Sequence, residues 1–187
     1  MKIGVLRIGK VDDEVAERVR ERLGSDFADF KAELIADELE LSEQGFDKNR
    51  AQYDANSVLQ RIKDYAEKPA RFDRVLGIVD ADIFVPRLNF VFGVAEHPGK
   101  AALVSLWRLR PEFYGQSSKK ERLFERSAKE AVHELGHTLG LDHCAKSFCV
   151  MHFSNSIQET DVKKSLFCSH CSVKAEFAIE KPRANLE

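Results

Sequence analysis

The sequence lacks several features that would place a protein in a broad class. It has no apolar run of about 18 residues, the length that a membrane-spanning helix needs, and no internal repeat. The formal net charge of -2 at pH 7 gives no general attraction to nucleic acids or anionic membranes. Residues 1–9 have neither the long apolar stretch nor the cleavage site of a signal peptide. We therefore expect a cytoplasmic protein that binds neither nucleic acid nor membrane.

Cysteine is also missing from most of the chain, since all four cysteines lie between positions 144 and 171. They form two short pairs, Cys144-x4-Cys149 and Cys168-x2-Cys171, separated by a longer segment. This spacing is typical of a tetrahedral zinc site with four sulfur ligands. Disulfide bonds and free thiols are the alternatives, although a cytoplasmic setting disfavours disulfides. His170 could also replace one of the sulfur ligands.

What the chain does contain is enough for a folded domain. It has 187 residues, of which 43% are hydrophobic and 32% charged, as in soluble globular proteins large enough to bury a core. We expect a single domain over residues 1–187. An N-terminal subdomain, residues 1–143, would be followed by a C-terminal subdomain, residues 144–187, which has few apolar residues and would need a metal to hold it together.

Hydrophobic periodicity predicts strands that alternate with helices, followed by a hairpin. Such a chain folds as an α/β sheet with helices packed against it. The predicted strands are Lys2–Ile8, Asp29–Leu34 (with a helix as the alternative), Asp73–Val79 and a hairpin of Phe90–Ala95 with Ala101–Trp107. The predicted helices are Val11–Leu23, Ser57–Glu67, Lys119–Leu139 and, as the last helix of the chain, Asn155–Leu166. Residues 42–56 and 108–118 are predicted to be loops.

The most informative stretch is H-E-x-x-H-x-x-G-x-x-H, which runs from His133 to His143 and is a known zinc-protease signature. On a helix, His133 and His137 are four positions apart and face the same side. Both imidazoles can therefore bind one metal ion. Glu134, at the next position, would lie beside the metal, where it suits a general base acting on water.

Gly140 explains how a third ligand could reach the same ion. A glycine just after a helix tolerates the left-handed conformation that ends the helix and turns the chain, which would bring His143 back. Three protein ligands leave one position of a tetrahedral zinc open, and this is the arrangement of a catalytic site. The alternative is a surface helix with incidental histidines, which the register of Gly140 and His143 makes the weaker interpretation.

Together with the cysteines and Met151, this stretch resembles the archaemetzincins, zinc metalloproteases of the metzincin clan. The distance from Met151 to Cys168 is slightly shorter than in the family pattern. Met151 is a candidate for the methionine turn beneath the metal, and an ordinary core methionine is the alternative. The residues that carry the resemblance are His133, Glu134, His137, Gly140, His143, Cys144, Cys149, Met151, Cys168 and Cys171.

The resemblance implies an α/β (α+β) fold, with a metzincin-like mixed twisted sheet, a backing helix, an active-site helix and a small zinc-stapled C-terminal lobe. It also implies two Zn²⁺ per chain. The catalytic zinc would be held by His133, His137 and His143, with Glu134 as general base, and the structural zinc by Cys144, Cys149, Cys168 and Cys171.

We therefore expect a zinc-dependent peptidase that acts on a peptide or protein. An extended substrate could add to an exposed sheet edge, for which Phe90–Ala95 is the candidate. Other substrate-binding residues, and the choice between endopeptidase and aminopeptidase, stay open. For a second oxyanion donor, Tyr114 is the best candidate, ahead of four weaker ones: Arg108, Arg110, His97 and His152.

Two other functions are compatible with parts of the sequence. The first is a non-catalytic, zinc-stabilised module that binds a peptide or a partner protein. The second is a nucleic-acid-binding zinc knuckle formed by the cysteine-rich segment. Lys163, Lys164 and Lys174 are too few, and too well balanced by acidic residues, to support the second.

Overall fold

A computed structural model describes residues 1–26, 30–68 and 71–180 of the chain. Strands and helices are interspersed up to Ser105, and among the described residues only helices follow. In chain order the elements are β1 (Lys2–Ile8), α1 (Asp13–Asp26), β2 (Lys31–Leu39), β3 (Phe46–Asp47), β4 (Gln52–Asp54), α2 (Ala55–Ala66), β5 (Arg74–Val79), β6 (Ile83–Phe84), β7 (Gly93–Ala95), β8 (Ala101–Ser105), α3 (Lys120–Thr138), α4 (Ile157–Val162) and α5 (Ser169–Glu180).

The main sheet is mixed and has five strands in the order β2-β1-β5-β8-β7. The first four strands run parallel to one another. Helix α1 lies in the connection from β1 to β2 and α2 in the connection from β2 to β5, as is usual for parallel strands. Strand β7 is antiparallel to β8, with Val94 opposite Leu103, which confirms the predicted hairpin. A small second sheet contains β3, β4 and β6. Strand β7 therefore forms one edge of the main sheet.

Helices cover both faces of the main sheet, so its central strands are buried on both sides. In β1, Ile3 and Val5 belong to the core that contains residues of α1 and α3. Leu6 and Ile8 belong to the core beneath α2, whose contribution includes Ile62. Because β1 has side chains in both cores, its sequence is a nearly continuous apolar run. The predicted α/β fold is confirmed.

Two predicted boundaries near the small sheet are corrected. Residues 42–56, predicted as a loop, contain β3, β4 and the first two residues of α2. Their polar composition hid them, because strands of two and three residues need little apolar surface. The strand predicted at Asp29–Leu34 is β2, against the helical alternative, but it begins at Lys31 and continues five residues further, to Leu39. Asp29 lies outside the described residues. The Ala and Glu residues of β2 are tolerated because β2 is a largely exposed edge strand.

The second half of the chain holds three further corrections. The strand predicted at Phe90–Ala95 is shorter and begins at Gly93, and the predicted loop 108–118 includes short 3₁₀ turns. Asn155–Leu166 is not the last helix. Helix α4 begins at a capping box, in which Ser156 and Glu159 bond each other's backbone, and it ends at Val162. Helix α5 follows. It was not predicted from the sequence, because no strong apolar stripe marks it.

Hydrogen bonds from two buried cationic side chains of α3, Arg126 and Lys129, connect this helix to the segment after residue 143. The Arg126 guanidinium donates two hydrogen bonds to Asp161 at 2.7 and 2.8 Å. Lys129 Nζ donates to the backbone oxygen of Asp161 at 3.0 Å. The division into subdomains 1–143 and 144–187 stays a prediction. None of the described helices combines the length and the apolar composition that a membrane-spanning segment needs.

Candidate active site and metal centres

The end of α3 has the geometry that Gly140 predicts. Gly140 has a φ of +83°, in the left-handed region that favours glycine. Its N–H donates to the His137 oxygen at 2.8 Å, and the N–H of Leu141 donates to the Gly136 oxygen at 3.1 Å. These two bonds form a Schellman motif, which ends the helix and reverses the chain. The reversal places His143 beside the last turn of α3.

The structure brings the three predicted histidines together. One ring nitrogen from each of His133, His137 and His143 lies within 4.8 Å of the other two. The Nε2 atoms of His133 and His137 are 3.2 Å apart. Ligand nitrogens about 2.1 Å from a tetrahedral zinc lie roughly 3.4 Å from one another. The spacing of these donors therefore fits a zinc ion.

Backbone carbonyls orient two of the imidazoles. Nδ1 of His133 lies 2.8 Å from the Val150 oxygen, and Nδ1 of His137 lies 2.8 Å from the Leu141 oxygen. A carbonyl can only accept, so each Nδ1 carries the proton and donates. Each Nε2 is then left with its lone pair, as a metal ligand requires.

The surroundings of the histidines also keep them uncharged. Burial is the main cause that lowers the pKa of His133, and the Lys163 ammonium lowers it further. Burial likewise lowers the pKa of His137 to about 4, and it lowers the pKa of His143. Imidazoles with lowered pKa values are neutral at pH 7, so protons do not compete with a metal there.

Glu134 lies beside the histidines, in the wall of the same cavity. Burial raises the pKa of its carboxyl group well above the ordinary value, and the neighbouring Glu130 raises it further. Strand β7 passes very close to it. A Cβ atom at Gly93 would lie 2.6 Å from both Cγ and Oε1 of Glu134. Glu134 can take this position only because residue 93 has no side chain.

The four cysteines form a second group of ligand atoms. Each Sγ lies within 4.8 Å of the other three, and none is in a disulfide. The Sγ atoms of Cys144 and Cys168 are 3.9 Å apart, close to the roughly 3.8 Å that a tetrahedral zinc with 2.3 Å Zn–S bonds produces. The donor set therefore fits zinc. His170 is exposed and lies outside this group.

The thiols differ in acidity within this group. Burial raises the pKa of Cys149 and of Cys171. A hydrogen bond from the backbone N–H of Cys171 lowers the pKa of Cys168 to about 7. The backbone N–H of Cys168 in turn donates to Cys149 Sγ at 3.3 Å. Such N–H donors stabilise the thiolate form that binds a metal.

Two short segments connect the histidine and cysteine groups. Cys144 directly follows His143, and its N–H donates to the Met151 oxygen at 2.8 Å. Cys149 directly precedes Val150, whose oxygen orients His133. A metal on the cysteines would therefore fix the backbone that positions two of the three histidines.

Met151 is fully buried beneath α3. Its thioether contacts Gly136 so closely that a Cβ atom there would overlap with Sδ. Gly136 lies on α3 between His133 and His137. Met151 therefore supports the helix at the level of the histidines, where a methionine turn was predicted.

A cavity of about 430 Å³ opens above the histidines. Its walls are formed by β7 and residues 88–92, by the α3 residues Glu130, His133, Glu134 and His137, and by residues 153–155. Of the five predicted oxyanion donors, only His97 lines this cavity. Its Nε2 lies 3.1 Å from the Leu141 oxygen, the same carbonyl that orients His137.

The other four predicted donors are engaged elsewhere. The Tyr114 hydroxyl donates to the Arg108 oxygen at 2.9 Å, and Arg108 pairs with Asp82 at 2.7 Å. Arg110 pairs with Asp80, and His152 contacts the Cys144 oxygen. Loop position and polarity suggested Tyr114, but its half-buried side chain turns towards the core.

A protein-family model described as Peptidase family M54 matches residues 10–176 of the chain. The chain belongs to peptidase family M54. The archaemetzincin of Methanocaldococcus jannaschii is 39% identical to this M54 chain over 176 residues, 94% of this chain and 93% of that protein. The resemblance to the archaemetzincins is therefore confirmed, and the M54 chain is a zinc metallopeptidase.

Solved structures agree with the M54 assignment. The crystal structure of archaemetzincin from Methanopyrus kandleri has a TM-score of 0.83 and 33% identity, and the match covers 96% of each chain. A zinc-dependent peptidase from Methanocorpusculum labreanum has a TM-score of 0.83 and 31% identity, covering 92% of this chain and 99% of that one. The metzincin-like fold is thus shared over nearly the whole chain.

Three residues around the candidate active site were not predicted from the sequence. Glu130 could have been found, because it lies four positions before Glu134 and so faces the same side of α3. Lys163 was considered only as a surface charge, yet it is buried and pairs with Glu130 at 2.9 Å. Gly93 carried no pattern at all, since its role depends on how close β7 comes to α3.

Proposed function

We propose that His133, His137 and His143 hold a catalytic zinc and that Glu134 is the general base of peptide hydrolysis. The observation that carries the proposal is the buried Glu134 carboxylate in the cavity wall, one residue from His133. A zinc ion held by three imidazoles acidifies a bound water and polarises a substrate carbonyl. Peptidase activity follows from the family, and the proposal adds the roles of these four residues.

The environment of Glu134 suits proton transfer near neutral pH. A general base works best when its pKa lies near the working pH, and burial together with Glu130 raises the pKa of Glu134 in that direction. Glu134 accepts a proton from the attacking water and then donates it to the departing amine. Gly93 holds the carboxylate in place by leaving room for it.

The substrate peptide would lie along β7. This strand pairs only with β8 in the described sheet, and its other edge faces the cavity. An extended peptide can add to such an edge through backbone hydrogen bonds, which would bring its carbonyl over the histidines. We therefore expect the peptide or protein substrate to bind at the predicted sheet edge, although the edge strand is Gly93–Ala95 and not Phe90–Ala95.

The four cysteines would hold a second, structural zinc, making two Zn²⁺ per chain. Four protein ligands fill a tetrahedral site and leave no position for water or substrate. This zinc would stabilise the C-terminal subdomain, residues 144–187, against the N-terminal subdomain, residues 1–143, in a single metalloprotease domain. A reducing compartment such as the cytoplasm would keep the four thiols available for the metal.

The decisive variant is Glu134→Gln, which keeps the shape of the side chain and removes the base. With zinc content unchanged, hydrolysis of a peptide library should fall at least about 100-fold, a typical contribution of general base catalysis. The matched control is Glu125→Gln on the exposed side of α3, which should cleave normally.

The same measurements test the alternative functions. A wild-type protein that carries both zinc ions but cleaves no peptide would instead be a zinc-stabilised binding module. If Glu134→Gln cleaved peptides as fast as the wild type, Glu134 would not be the base.

A further inference from the structure

One end of the active-site cavity contains a buried carboxylate that the proposed mechanism does not use. Glu130 lies one helical turn before Glu134, lines the cavity and is only 3% exposed. Its Oε1 accepts a hydrogen bond from Thr160 Oγ1 at 3.0 Å and lies 2.9 Å from Lys163 Nζ. Its Oε2 makes no hydrogen bond within the described part of the chain. The protein does not fully enclose Oε2, so this oxygen can accept a hydrogen bond from a ligand in the cavity.

A second polar atom of the cavity wall also lacks a hydrogen-bond partner. Ser154 Oγ is buried and has no hydrogen-bond partner among the described residues, and Ser154 lines the cavity. Ser154 and Glu130 come from different elements, a loop and a helix. Two unpartnered polar atoms in one cavity wall point to a ligand that supplies the missing hydrogen bonds.

We propose that Glu130 and Ser154 form a subsite that selects a substrate residue with an uncharged hydrogen-bonding side chain, best a carboxamide such as that of glutamine or asparagine. This proposal rests on the proposed function, because the substrate must lie in the same cavity. A carboxamide N–H can donate to Glu130 Oε2, and a carboxamide oxygen can accept from the Ser154 hydroxyl.

Charge in the wall explains why an uncharged side chain is preferred. The Lys163 ammonium, fully buried behind Glu130, balances the Glu130 charge, so the wall attracts a cation only weakly. A substrate carboxylate would face the oxygens of Glu130 and Glu134 and be repelled. An alkyl side chain would leave Glu130 Oε2 and Ser154 Oγ without partners, a loss that makes such sites discriminate strongly.

The test uses the enzyme with both metal sites loaded and measures binding instead of turnover. Three small hydroxamates differ only in a side chain of equal length, which ends in a carboxamide, a methyl group or a carboxylate. Each is made with the side chain on either side of the hydroxamate, since the cavity extends past the histidines. We expect the carboxamide to bind about tenfold more tightly than the alkyl compound, as one hydrogen bond to a charged group allows, and the carboxylate to bind most weakly.

Two variants assign that preference to the subsite. Ser154→Ala should remove part of it, and Glu130→Leu combined with Lys163→Met should make the alkyl compound the tightest binder. Replacing both members of the pair avoids leaving a buried charge alone. The control Glu125→Gln should keep the wild-type order.

The outcomes separate the proposals from each other. If no hydroxamate binds, the histidines do not hold an accessible zinc and the proposed function fails first. If all hydroxamates bind equally well, or if the carboxylate binds best, the subsite is wrong while the proposed function stands. If the double variant lowers thermal stability but leaves the order unchanged, Glu130 and Lys163 only hold α4 against α3, and the subsite is again wrong.

Discussion

In each of the two candidate metal-binding regions the ligand atoms lie within 4.8 Å of one another, but the surroundings of the two regions differ. The histidines change from buried to exposed along the chain, with His133 buried, His137 half-buried and His143 exposed. They line a cavity and have the Glu134 carboxylate beside them. Of the cysteines, only Cys144 is half-buried, and the other three belong to the hydrophobic core. The surroundings, and not the ligand spacing, are what support the proposed catalytic role of the histidines and the proposed structural role of the cysteines.

The largest expected effect is the loss of stability when one cysteine ligand is removed, which tests the difference between the two regions. Cys168→Ser should remove the structural metal and destabilise the fold by several kcal/mol, because metal binding at such sites contributes directly to folding. His143→Ala should remove the catalytic metal and the activity with a much smaller loss of stability, since His143 is exposed. Thermal unfolding together with metal analysis of both variants measures the contrast. Equal losses of stability would mean that both metals are structural.

The next effect sharpens the comparison on the catalytic side. Gly93→Ala should lower kcat about 10- to 100-fold with zinc retained, because a Cβ atom displaces the Glu134 carboxylate and misplaced catalytic groups cost this much. Gly24→Ala is the matched control, since nothing lies within 4 Å of a Cβ atom there. It should leave activity unchanged and, as a helix substitution, stabilise by up to about 1 kcal/mol.

A double-mutant cycle separates this effect from general damage to β7, because the same Cβ atom would also lie 2.6 Å from the Leu103 oxygen. Gly93→Ala is combined with Glu134→Ala, and the free energies of unfolding are measured. If residue 93 acts through Glu134, the two changes should be non-additive by about 1 kcal/mol. Additivity would show that the contact with β8 is the whole effect.

The smallest effect concerns pH. Lowered pKa values keep the histidines neutral until the pH falls through them, about 4 for His137, so zinc affinity at this site should fall less than about tenfold from pH 7.5 to pH 5.5. Three unperturbed histidines with pKa values of about 6.5 would each bind a proton in this range and lose far more. Calorimetric zinc titration with the cysteine site already loaded measures the change. A loss of 100-fold or more would show that the histidines are not held neutral.

The parts of the site that the sequence predicted are those set by local geometry. Helical spacing determines where His133 and His137 point, and a single left-handed residue, Gly140, determines how the chain turns to His143. The elements around these residues were harder to predict because they depend on distant contacts. Glu130 meets Lys163 only after α4 folds back on α3, and Gly93 matters only because β7 passes over Glu134.

The fold shows the same division between local and distant information. The long helix was predicted within one residue at each end, as Lys119–Leu139 against the observed Lys120–Thr138, because its apolar face repeats over several turns. Strands β3 and β4 were missed since they are too short to show a pattern. Tyr114 was placed near the active site by sequence distance alone, which says little about the direction of a side chain.

The segment Cys149–Val150–Met151 gives three successive residues three separate tasks: one sulfur in the cysteine group, one carbonyl on His133 and one thioether under Gly136. Inserting or deleting a single residue here would shift all three tasks onto the wrong neighbours at once. Among descendants of this chain, length changes should therefore be tolerated in the exposed loops but purged from this tripeptide.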